Sequence, residues 1–77
     1  MPAGLIKRSF SLAGHRTSVA LEAEFWDVLD ELARQKGVTL ARLVASVEAE
    51  RDAATALASS LRIHALRGVA AARPELR

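Results

Sequence analysis

Between Gly14 and Glu22 the side chains alternate: Thr17, Val19 and Leu21 fall on one side of an extended backbone, and Arg16, Ser18 and Ala20 on the other. Threonine and valine favour strand, and Gly14 marks where the segment begins. A lone strand leaves a row of backbone N–H and C=O groups unpaired, so this short run must find a partner. Two partners are available. One is the Ser9–Leu12 run, where Phe10 and Leu12 alternate with Ser9 and Ser11, folding back through Ala13-Gly14 as a hairpin. The other is the same strand of a second chain.

Size presses in the same direction. A chain of 77 residues buries only about 60% of the surface its unfolded form exposes. Disulfides, a structural metal or oligomerisation usually make up the shortfall. There is no cysteine, and the two histidines, His15 and His64, lie too far apart in sequence for a ligand pair. No metal or other cofactor is therefore expected, and partner subunits remain. Much of the 51% hydrophobic content is alanine, and the aromatics are Phe10, Phe25 and Trp26 alone, a composition that leans toward helix.

The period changes directly after Leu21. Phe25, Val28, Leu29 and Leu32 repeat at i, i+3, i+4, i+7, with Trp26 and Ala33 flanking that face. Glu22 and Glu24 suit the first turn, and Arg34 and Lys36 precede Gly37 at the other end. The spacing predicts a helix over 22–36. Thr39 then caps a second helix, with Leu40, Leu43, Val44 and Val47 on one face. The phase of that stripe is lost after Glu48, so a break is expected near 52–55, with Asp52 or Thr55 capping a third helix over about 56–71. Leu57, Leu61, Leu66 and Val69 are its apolar side chains, Arg62 and Arg67 point outward, and Pro74 ends it. Residues 1–14 read as a basic arm, 15–52 as the core, 53–72 as an additional helix and 73–77 as a frayed tail.

The net charge of +2 conceals a polarised distribution. Residues 1–21 carry Lys7, Arg8 and Arg16 with no acid, whereas 22–36 set Glu22, Glu24, Asp27, Asp30 and Glu31 against Arg34 and Lys36. Basic arms of this kind often meet phosphates, and His15 beside Arg16 is a further candidate contact. Lys7-Arg8 interrupt Leu5-Ile6, so no secretory apolar segment is expected, and no run is long enough to span a membrane. Cytoplasm is the expected compartment. Catalysis is not expected: there is no nucleophile turn and no glycine-rich phosphate loop. Trp26, at helical spacing beside Phe25 and Leu29, reads as core rather than as a platform for bases.

The order of elements is the informative constellation. Arg16-Thr17-Ser18-Val19-Ala20-Leu21-Glu22, then Phe25/Val28/Leu29/Leu32/Ala33, then Gly37-Val38-Thr39 before Leu40–Val47, resemble the ribbon-helix-helix family. The stretch from Lys7 to Ser18 is similar to a subgroup of short bacterial members carrying such an arm, with the third helix as an addition. The resemblance implies a mainly α fold with one short N-terminal strand pairing antiparallel with that of a second chain, followed by the helices. It also implies a homodimer, or a dimer of dimers, around one shared core: Thr17, Val19, Leu21, Phe25, Trp26, Leu29, Leu32, Leu43, Val44 and Val47. The intermolecular two-stranded ribbon would enter the major groove of DNA, whose width admits it. Arg16, Ser18 and Ala20 would face the bases, with Arg16 suited to guanine O6/N7 and Ala20 to a thymine methyl. Backbone at Val38-Thr39-Leu40 would meet phosphate, as would Lys7 and Arg8 from the arm. The expected function is a sequence-specific transcriptional regulator. The alternative is a protein-interaction module of the same fold, an antitoxin or adaptor whose residues 56–72 bind a partner protein.

Overall fold

A computed structural model describes residues 4–73 and 75. Two strands come first, β1 (Ile6–Leu12) and β2 (His15–Leu21), followed by three helices: α1 (Ala23–Lys36), α2 (Leu40–Glu50) and α3 (Leu57–Ala72). The expected Pro74 stop, residues 76 and 77 of the tail, and residues 1–3 of the arm lie outside the described residues.

The stretch read as an arm is, over Ile6–Leu12, a strand. It pairs antiparallel with β2 in a register running from Ile6↔Leu21 to Leu12↔His15. Within the chain, the hairpin alternative is thus the partner that β2 finds. Ala13 and Gly14 make the connection with φ of 52° and 82°, and a two-residue hairpin turn matching the strand twist requires positive φ at both positions. Two strands are present in one chain where one was expected.

Pairing sorts the side chains by face. Phe10, Leu12, Val19 and Leu21 turn toward the helices and are buried, and they join Trp26, Leu29 and Ala33 of α1, Leu43, Val44 and Val47 of α2, and Leu61 and Ala65 of α3. All five elements therefore contribute side chains to one core, and none of the described polar side chains is buried in it. Of the side chains assigned to a two-chain core, Thr17, Phe25 and Leu32 are only half-buried.

Local signals set the helix ends. At the end of α1, Gly37 takes φ 71°, its N–H donates to the Arg34 carbonyl and the Val38 N–H to that of Ala33, the paired bonds of a Schellman motif. Thr39 caps α2 by accepting from the Arg42 N–H at 3.1 Å. The expected side-chain cap of α3 is absent: Ala56 occupies that position. Asp52 instead accepts from the Ala54 N–H within the connecting loop, and Arg51 braces that loop by donating to the Thr55 carbonyl at 2.8 Å.

The face of α3 also differs from expectation. Leu61 is 0% exposed but Leu66 is 64% exposed. Five residues along a helix amount to about 140° of rotation, which turns Leu66 away from the side Leu61 buries. Ala65, one turn beyond Leu61, is inside instead. Arg62 is not free in solvent. It donates to Glu22 at 3.0 Å and lies over the Phe25 ring at 5.7 Å.

Candidate nucleic-acid interface

With one face of the hairpin committed to the core, the opposite face is left to solvent. The register brings Lys7 opposite Ala20, Ser9 opposite Ser18 and Ser11 opposite Arg16 on that outer face. Arg16, Ser18, Lys7, Ser9 and Ser11 are exposed and Ala20 is half-buried. Both cations on this face lack an acidic neighbour there. The acids Glu24, Asp27, Asp30 and Glu31 are on α1, behind the sheet.

Two cross-strand hydrogen bonds tie the row together. Arg16 Nη1 donates to Ser11 Oγ at 3.2 Å, and the Ser9 and Ser18 hydroxyls meet at 2.9 Å. Ser9 and Ser11 are the polar half of the Ser9–Leu12 alternation, and that alternation is the sequence signal that places them on this face.

Arg8 and Lys7 point in opposite directions, as neighbours on a strand must. Lys7 lies with the exposed row. Arg8 turns toward α1, where its guanidinium sits 4.9 Å above the Trp26 ring and reaches Asp30 at 3.2 Å. Trp26, 1% exposed, donates from Nε1 to the Ile6 carbonyl at 2.7 Å and so ties the start of β1 to α1. Trp26 is core, as its spacing suggested.

The remaining candidates lie elsewhere. His15 is exposed beside the hairpin turn. Val38 and Leu40 are half-buried at the start of α2, and the Thr39 hydroxyl is occupied in capping that helix. Only the backbone N–H groups of that first turn are available to an anion. Among the described residues no group of three or more His, Cys, Asp or Glu side chains could hold a metal ion, and no helix is long and apolar enough to cross a membrane.

A hairpin whose outer face is polar and basic, running directly into an amphipathic helix, a Gly-x-Thr turn and a second helix, defines a class of fold. A family model described as a ribbon-helix-helix domain matches residues 5–69, and the chain belongs to that family. Its members are generally non-enzymatic, DNA-binding regulators of transcription. No curated protein and no solved structure matches the chain.

Proposed function

We propose that this chain is a sequence-specific double-stranded DNA-binding protein that regulates transcription, acting in the bacterial cytoplasm. The observation that carries the reading is the outer row of the hairpin, where Lys7 and Arg16 stand among three serines with no acid. A two-stranded ribbon fits the major groove. Arg16 reads guanine O6/N7, Ser18 bonds to a neighbouring base edge and Ala20 contacts a thymine methyl. Lys7, His15 and the backbone N–H groups of Thr39 and Leu40, where α2 begins, meet phosphates, while the Val38 N–H is committed to the Ala33 carbonyl. Arg8, engaged with Trp26 and Asp30, supports the ribbon from behind instead.

The working unit is a homodimer. The sheet has two strands, so β2 keeps one edge open, and an open edge is a template for pairing with another chain. Antiparallel pairing of β2 with that of a second copy makes a four-stranded sheet whose two central strands are the β2 pair, which sets their outer rows of Arg16, Ser18 and Ala20 side by side as the intermolecular ribbon.

Fluorescence anisotropy with duplex DNA tests the reading. Binding should weaken with salt, with a log–log slope of about −0.9 per phosphate neutralised, and Lys7→Ala should lower that slope by about one contact. Arg16→Ala should reduce preference for the best sequence by about 1–3 kcal/mol. Absence of salt-sensitive binding, together with no effect of Arg16→Ala, refutes the reading. A second reading, an antitoxin or adaptor that binds a protein through α3, is favoured by Ile63 and Leu66, which are 43% and 64% exposed on that helix. Leu66→Glu abolishes partner binding under that reading and leaves DNA binding intact under the first.

A further inference from the structure

We propose that β1 sets the aim of the reading row on β2, with Ser11 the positioning residue for Arg16. The inference rests on the DNA reading above but concerns a strand that reading leaves without a base-facing role. It holds for either ribbon, the hairpin itself or one shared between two copies, because the contacts involved lie within one chain.

Arginine is rotamer-rich, and an exposed arginine on a strand loses much freedom when it docks against a base pair. Here that freedom is already curtailed. Arg16 and Ser11 are directly opposite in the register, and the guanidinium donates from Nη1 to Ser11 Oγ at 3.2 Å. Tethering by a short hydroxyl on the neighbouring strand holds the guanidinium over the outer face of the hairpin. Of the five guanidinium N–H donors one is used, and those that remain still suffice for a bidentate pair with guanine. No carboxylate competes for them on this face. The two arginines that do pair with carboxylates across elements, Arg8 with Asp30 and Arg62 with Glu22, point away from it.

The next pair inward repeats the device. Ser9 and Ser18 share one hydrogen bond at 2.9 Å, which fixes one of the two hydroxyl protons and leaves the other for a base edge. Both serines of β1 are exposed, on the face of the strand opposite the buried Phe10 and Leu12, so folding does not require a hydroxyl at either position.

The test uses the full chain, a pool of randomised duplexes from which its preferred sequence is selected, and a mixed-sequence duplex as reference. Ser11→Ala should lower the ratio of preferred to mixed-sequence affinity about 3- to 10-fold. The salt slope should stay as it is, since it is set by charges that Ser11 does not carry. Arg16→Ala should lower the ratio at least as far, and the double variant Ser11→Ala/Arg16→Ala no further than Arg16→Ala alone, the non-additivity of residues acting as a unit. Ser11→Thr keeps the hydroxyl and should retain the ratio. Full preference in Ser11→Ala, or a loss that adds to that of Arg16→Ala, overturns the inference while leaving the DNA reading standing. Failure of the unaltered chain to bind either duplex, or binding with no sequence preference, overturns both.

Discussion

Replacing Leu61 with alanine asks whether α3 is part of the fold or an appendage to it. Leu61 is 0% exposed, and α3 packs against α1, α2 and β2. Its neighbour on the buried face, Ala65, is small and already 1% exposed, so little side chain is at hand to fill the space a truncation leaves. Buried Leu→Ala changes cost about 2–5 kcal/mol, and the loss here should sit near the middle, about 3 kcal/mol. A chain of this length has a total stability on the order of 4–12 kcal/mol, so the variant should lose a large share of it. The corresponding fall in Tm is about 12–24 °C for a domain of this size. Trp26 is the only tryptophan and is 1% exposed, so its fluorescence reports unfolding in a urea titration at fixed protein concentration. Leu66→Ala, on the same helix but 64% exposed, is the control and should change stability by no more than about 0.5 kcal/mol. Equal shifts for the two variants, or a loss below about 1 kcal/mol for Leu61→Ala, would refute the assignment of α3 to the core.

Other perturbations probe single joints of the structure. Ala13 holds φ 52° in the hairpin turn, so Ala13→Asn should add about 0.5–1 kcal/mol, read as a rise in Tm. Thr39→Ala removes the acceptor for the Arg42 N–H and should cost about 1 kcal/mol in urea. Trp26→Phe leaves the Ile6 carbonyl without its 2.7 Å donor and should cost about 1–3 kcal/mol by circular dichroism melting. The Arg62 hydrogen bond holds the Glu22 carboxyl below the usual carboxylate range. A lowered folded pKa means that its stabilisation is present above the unfolded value and is lost as pH falls through the folded one. Urea midpoints at pH 7 and pH 3 should therefore differ less in Glu22→Gln than in the unaltered chain, and an identical difference would count against the ion pair.

Much of this architecture was legible in the residues because it rests on local physics. The stripe Phe25, Val28, Leu29 and Leu32, the Gly37 that alone tolerates a left-handed end cheaply, and the Thr39 cap gave α1 and α2 nearly to the residue. The break after α2 followed from a loss of phase, and the outward direction of Arg16, Ser18 and Ala20 from strict alternation on a strand. Each of these depends on neighbours a few positions away, and a sequence carries that information directly.

The choices between partners came from the packing of whole elements against one another. Ser9-Phe10-Ser11-Leu12 suits an arm or a strand, and only the availability of β2, reached through two positive-φ residues, makes it β1. Arg8 and Lys7 look alike in sequence, yet the pleat sends one to Trp26 and Asp30 and the other to the open face. Leu66 has the hydrophobicity of a core residue, but the rotation of α3 against α1, α2 and β2 buries Ala65 in its place. Periodicity, caps and charge can be read from the residues alone, since these are settled within a turn or a pleat. The structure alone determined who pairs with whom, because strand pairing and helix rotation are set by the surfaces that other elements present.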